Sequence, residues 1–241
     1  MKTKHLLAMF LTVALSMGLT SCLKVPKTDS GVIGSVKWVY DFDAETLTFS
    51  GSGEITWRGE EDYQRYANMT DAVIISEGIT GIGEYAFSHF KLKSVSIPNS
   101  VTYIGGSAFY WCENLYAITI PNGVKRIGSK AFYECSVLNV VIIGDGVTTI
   151  GDMAFYKCYN LSSVTIGRSV TYIDDYAFHK GYNDNPSLKT VTCKAIIPPT
   201  FGTYSAFYSP GSVDLFVPKE SISAYKEAKT WKEFRSISPI K

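Results

Sequence analysis

The chain has 241 residues, 46% of them hydrophobic, with 23 Lys and Arg against 22 Asp and Glu. A balance this even, with no basic cluster, leaves no electrostatic footprint for nucleic acid. The length suits one large solenoid or a compact domain with a cap.

Lys2 and Lys4 precede an apolar run from Leu6 to Leu19 that only Thr12, Ser16 and Gly18 interrupt. The run is too short for a membrane span and reads as an export signal over residues 1–21. It ends in Leu19-Thr20-Ser21-Cys22, which resembles the bacterial lipobox. That resemblance implies cleavage before Cys22 and lipidation of Cys22 by acyl chains such as palmitate; the alternative is an ordinary signal peptide with an unrelated cysteine. Two or more acyl chains hold a protein on a membrane where one does not. Cleavage there leaves 220 residues, with 21 basic against 22 acidic side chains once Lys2 and Lys4 are gone. No span follows Leu19. The expected location is the outer membrane or cell surface. The segment Leu23-Lys24-Val25-Pro26 lacks an acidic cluster, a hint toward the periplasmic side.

Residues 22–35 mix Lys, Pro, Ser and Gly with little to bury and read as a tether. Residues 36–69 read as an N-terminal cap. In it Trp38 to Phe42 and Leu47 to Ile55 alternate as two strands joined at Asp43-Ala44-Glu45, and Glu60 to Asn68 forms a short helix or an irregular segment.

Residues 70–218 carry an internal repeat of about 23 residues. Ala-Phe recurs at Ala86-Phe87, Ala108-Phe109, Ala131-Phe132, Ala154-Phe155, Ala177-Phe178 and Ala206-Phe207. Two further sets keep step: Val95/Ile97, Ile118/Ile120, Val141/Ile143 and Val164/Ile166 in one, Val101/Ile104, Val124/Ile127, Val147/Ile150 and Val170/Ile173 in the other. The first set alternates as a short strand with one buried face. Gly105, Gly128 and Gly151 mark a tight bend, after which Ala allows close approach and Phe supplies bulk. No unit buries its apolar face alone, so each needs the next stacked on it.

Cys112, Cys135 and Cys158 fall at one position in consecutive repeats, where the first full coil has Phe90, and Cys193 takes an inward strand position. Both placements read as reduced core cysteines acting as small hydrophobes, although a disulfide between adjacent rungs is sterically allowed. Residues 219–241 read as a C-terminal cap: Ile222, Tyr225, Ala228, Trp231 and Phe234 fall three apart in a helix-length amphipathic segment, and Ser236 to Ile240 forms a last strand.

The segment Leu115, Ile118, Ile120, Pro121, Val124, Ile127, Gly128, Ala131, Phe132 and Cys135 resembles the leucine-rich repeat of the BspA-like family of bacterial surface proteins. The likeness covers about 70–218. It departs at Asp174, where Gly is usual, and at Gly181, where Cys is usual. It implies a leucine-rich-repeat-like solenoid of short parallel β-strands and turns, with a β-hairpin N-cap and a helical C-cap. It also implies export and, in some members, adhesion to host proteins.

No catalytic constellation, phosphate-binding glycine loop or cofactor motif is present in the sequence. His89 and His179 fall four repeats apart, about 19 Å at the strand spacing. Asp174-Asp175 with Asp184 reads as a polar turn; calcium and a carboxylate hydrolase are the weaker readings. The candidate ligand surface is the row that follows each Phe, Tyr110, Tyr133, Tyr156, His179 and Tyr208, with Trp111 beside it. The row offers rings to a protein or glycan, or it only shields the Phe core. The sequence thus reads as a lipid-anchored envelope module that binds a host or envelope protein or a glycan. The alternative is a structural scaffold of the envelope.

Overall fold

The computed structural model describes residues 26–56, 63–181 and 187–241; Cys22, the export signal and Asp184 lie outside them. The chain opens with β1 (Thr28–Ile33), β2 (Val36–Asp41), β3 (Thr46–Gly51) and β4 (Gly53–Ile55). The first three are antiparallel, with β2 and β3 joined over Asp43-Ala44-Glu45. From β3 onward all pairing is parallel, because each later strand is reached by winding once around the core.

Each coil contributes two strands: β5 (Ala72–Ile75) and β6 (Ile79–Ile82), β7 (Ser94–Ser96) and β8 (Tyr103–Ile104), β9 (Ala117–Ile120) and β10 (Arg126–Ile127), β11 (Val140–Ile143) and β12 (Thr149–Ile150), β13 (Ser163–Ile166) and β14 (Tyr172–Ile173), β15 (Thr190–Cys193) and β16 (Thr200–Phe201). One face of the solenoid carries β1-β2-β3-β5-β7 and then, as a separate ladder, β9-β11-β13-β15-β17-β18; a second carries β4-β6-β8-β10-β12-β14-β16. Here β17 is Asp214–Val217 and β18 is Ser236–Pro239. The register is one residue per repeat equivalent, as in Val141↔Val164 and Ile127↔Ile150.

A third side holds the coils together without strands. The Lys130, Phe132 and Glu134 N–H groups donate to the Asp152, Ala154 and Tyr156 carbonyls at 2.7–2.8 Å. The same triple repeats one coil earlier from Ser107, Phe109 and Trp111, and one coil later from Met153, Phe155 and Lys157. Turning alternate N–H groups toward the next coil requires left-handed backbone, which Lys130 (φ 57°), Glu134 (φ 59°), Ser107 (φ 53°) and Trp111 (φ 59°) adopt. The interior is a file of parallel rings. Centroids are 5.2 Å apart for Phe87–Phe109, 4.9 Å for Phe109–Phe132, 5.1 Å for Phe132–Phe155 and 5.2 Å for Phe155–Phe178. Tyr63 and Phe49 close it at one end, Trp231 and Phe234 at the other.

Two local expectations are corrected. The tether assigned to 22–35 contains β1, whose six residues pair with β2 from Thr28↔Asp41 to Ile33↔Val36. Main-chain pairing orders it, and only Ile33 is fully buried, so side-chain hydrophobicity gave no sign of it. Asp29 of β1 accepts from Arg65 and from the Tyr66 hydroxyl.

The helix-length closing segment is instead a six-residue helix, α1 (Ile222–Glu227), then extended Ala228, Thr230 at φ 70°, and a 3-10 turn at Trp231–Glu233. The break lets Trp231 lie over the last coil, its Nε1 donating to the Pro199 carbonyl at 2.8 Å. The bends at Gly105, Gly128 and Gly151 exclude a side chain, as expected, and do so by close contact, since none of the three is left-handed. A Cβ on Gly128 would sit 2.6 Å from the Gly106 nitrogen, and one on Gly105 2.6 Å from the Glu84 nitrogen. Glycine there permits close approach of the preceding coil's backbone.

Candidate functional site

The aromatic row expected from the sequence forms a ridge on the third side. Tyr110 stacks on Tyr133 at 5.0 Å, Tyr133 on Tyr156 at 5.3 Å, and Tyr156 on His179 at 5.8 Å; Tyr208 meets His179 edge-on at 5.0 Å. Stacking uses the ring faces, so these half-buried side chains present their edges outward. Trp111 is the outer member, 38% exposed. Its Nε1 donates to Glu134, whose carboxylate also takes Lys157 Nζ at 3.3 Å. Lys157 in turn lies 5.6 Å from the Tyr133 ring centroid. Burial lowers the His179 pKa, which keeps its ring uncharged in the stack.

The cysteine ladder lies directly inside this ridge. Cys112, Cys135 and Cys158 are free, buried thiols whose Sγ atoms donate to the Phe87, Phe109 and Phe132 carbonyls at 3.1, 3.2 and 3.3 Å. Burial raises the pKa of all three, that of Cys135 to about 12. Cys193 is held at about 11, mainly by burial, and accepts from the Tyr225 hydroxyl at 3.2 Å. Protonated and enclosed, they are packing groups rather than nucleophiles.

A second surface was not singled out in the sequence. A groove of about 690 Å³ runs across the coils beside the β6–β14 face. Its floor is the bare backbone of Gly105, Gly128 and Gly151; its walls include Tyr103, Arg126, Thr149 and Tyr172 on one side and Glu84, Ser129 and Asp152 on the other. Glu54 and Asp174 complete the two ends. The Tyr172 hydroxyl donates to Asp174 Oδ1 at 2.9 Å. Burial, then a hydrogen bond to Glu54, pushes the Tyr103 pKa up to about 12. Burial and the neighbouring Asp174 charge raise that of Asp152. The periodic signal was available: Tyr103, Arg126, Thr149 and Tyr172 each precede the recurring isoleucine. Only the fold shows that the acidic residues from the following turn face them across a channel.

The outward strand residues form a flat face, with Ile142 exposed and Val140 half-buried. Of the acidic residues weighed for calcium or hydrolysis, Asp174 lines the groove, while Asp175 Oδ1 accepts the Tyr204 N–H at 2.7 Å. Among the described residues no group of three or more His, Cys, Asp or Glu side chains converges as for a metal.

A family model for the BspA type leucine rich repeat region matches residues 59–185 in six copies. The chain belongs to that family. Its members are bacterial, surface-associated and generally non-catalytic, and they generally use the repeat surface for protein or glycan interaction. Among solved structures, the leucine-rich repeat protein of T. pallidum is similar at 20% identity and a TM-score of 0.52, over 72% of this chain and 86% of that one. At that identity the likeness speaks to fold alone. A leucine-rich repeat protein from Bacteroides ovatus matches at 18% identity and a TM-score of 0.32, covering 87% of this chain and 76% of that one. No curated protein matches.

Proposed function

We propose that this BspA-type chain is an exported, lipid-anchored binding module that recognises a protein or glycan through its solenoid surface. The observation that carries the reading is the 690 Å³ groove, held open on a scaffold whose coils are hydrogen-bonded to their neighbours on three sides. Such a surface is set before a ligand arrives, which lowers the ordering cost of binding. The ridge from Tyr110 to Tyr208, with Trp111 at its margin, is a second contact surface of the same module. It works through ring edges and hydroxyls.

The anchor rests on the Leu19-Thr20-Ser21-Cys22 sequence. Labelling cells with an alkyne fatty acid tests it: wild-type protein takes up label and Cys22→Ser does not. Protease treatment of intact cells then reports which side of the membrane the solenoid faces. Binding is tested by presenting the full-length protein in detergent micelles to arrays of extracellular proteins and glycans. Reproducible binding weakened by Trp111→Ala or by groove substitutions supports the module. A protein that binds nothing on either array but copurifies stoichiometrically with an envelope component contradicts it in favour of a scaffold.

A further inference from the structure

The groove has an ordered charge pattern along its length. Tyr103, Arg126, Thr149 and Tyr172 are register partners in consecutive parallel strands, through Arg126↔Tyr103, Arg126↔Thr149 and Thr149↔Tyr172. Three strand spacings therefore separate the two tyrosines, about 14 Å. At the Tyr103 end stand Glu54 and Glu84; at the Tyr172 end stand Asp152 and Asp174. Arg126 lies between, one coil from Tyr103 and two from Tyr172. The lining reads acidic, basic, acidic, with four carboxylates against one guanidinium.

An extended peptide advances about 3.4 Å per residue, and side chains two or four residues apart point the same way. Four residues span about 14 Å, which matches the three strand spacings between Tyr103 and Tyr172 and between the equivalent positions Glu84 and Asp152. We propose that the groove binds an extended polypeptide segment carrying two basic side chains four residues apart, one seated at each acidic end beside its tyrosine, with an acidic side chain or carbonyl between them facing Arg126. This rests on the reading of the solenoid as a binding module and names the partner chemistry of one surface.

Charge selects a peptide over a neutral glycan. Asp152 shares its end of the groove with Asp174, and their mutual repulsion raises the Asp152 pKa beyond what burial does. A cation relieves that repulsion and a sugar hydroxyl does not. Tyr103 and Tyr172 then offer ring surface to the stem and head of Lys or Arg.

The test uses the full-length protein in micelles and a fluorescein-labelled nine-residue peptide of Gly, Ser and Thr, with Lys at its third and seventh places and Asp at its fifth. Fluorescence anisotropy is expected to show saturable binding. It should weaken at least tenfold when both lysines become alanine, and several-fold when they are moved two residues apart. Asp152→Asn/Asp174→Asn and Glu54→Gln/Glu84→Gln should each weaken it at least fivefold, with thermal melts matching wild type to show that the fold survives. Raising salt from 50 to 300 mM should weaken it as well. Failure of the peptide to bind, or binding indifferent to lysine spacing, overturns the proposal. So does a neutral oligosaccharide that is bound by the wild type and lost in both groove variants. If array binding persists through the ridge while the peptide fails, the inference about the groove falls and the binding-module reading stands.

Discussion

Phe132 lies on Phe155 with ring centroids 5.1 Å apart and planes 1° from parallel, and the same relation links Phe155 to Phe178 at 3°. Neither ring has a complete wall within its own coil; each neighbour supplies half of the other's surroundings. Phe132→Ala should therefore cost about 3–5 kcal/mol by leaving a cavity in the file. Phe132→Ala/Phe155→Ala should cost measurably less than the sum of the single changes, because the second removes a ring whose partner has already gone. Urea unfolding of the two single variants and the double variant checks both statements.

The two glycine-related positions of each coil should respond in opposite directions. Lys130 is left-handed at φ 57°, a conformation that costs an L-residue on the order of 1 kcal/mol. Lys130→Gly should be neutral or stabilise by up to about 1 kcal/mol. Gly128 is not strained, but a Cβ there meets backbone at 2.6 Å, so Gly128→Ala should destabilise by about 1–3 kcal/mol through overpacking. Thermal midpoints of the two variants, read side by side, test this.

The ridge and the cysteine ladder carry distinct signatures. Tyr133→Ala removes a ring stacked on both sides, by Tyr110 and Tyr156, and should cost about 1–3 kcal/mol. Tyr133→Phe keeps the stack and should leave stability within about 0.5 kcal/mol. A loss of ligand binding in the phenylalanine variant, at unchanged stability, assigns the role to the hydroxyl edge.

The buried thiols make the protein sensitive to alkali. The folded-state pKa of Cys135 is about 12 and that of Cys193 about 11, against 9.0 for a free thiol. Above pH 9 the unfolded chain loses these protons while the folded chain keeps them. Stability is therefore undiminished below pH 9 and falls as pH rises from there by about 1.4 kcal/mol per pH unit for each cysteine, up to about pH 11 for Cys193 and about pH 12 for Cys135. Urea midpoints at pH 7.5 and pH 10 should show the drop. Cys135→Ala should shrink it, and a thiol reagent at pH 7.5 should label none of the four until the protein is unfolded.

Much of this architecture was legible because the solenoid is nearly one-dimensional: a position in one repeat has the same surroundings in the next. That is why the Phe file and the buried cysteines could be placed from spacing alone. The ends were harder, since no neighbouring repeat constrains them. Strand β1 is held by main-chain pairing and by Asp29 meeting Arg65, 36 residues away. The closing helix breaks at Ala228 because Trp231 must reach Pro199. The groove escaped notice for another reason. Its walls come from positions only three residues apart in each coil, such as Arg126 with Ser129 and Thr149 with Asp152, and only the stacking of successive coils brings Tyr172 and Asp174 over the same channel as Glu84.

The register of the stacked coils is the claim on which both surfaces depend, and engineered disulfides test it most directly. Arg126 and Thr149 are register partners in adjacent strands, within the Cα separation of about 4.4–6.8 Å that a disulfide needs; Arg126 and Tyr172 are two strands apart, about 10 Å. Arg126→Cys/Thr149→Cys should oxidise to an intramolecular bond without lowering the thermal midpoint, and Arg126→Cys/Tyr172→Cys should remain reduced under the same conditions. Cross-linking of the second pair, or failure of the first, contradicts the stacking.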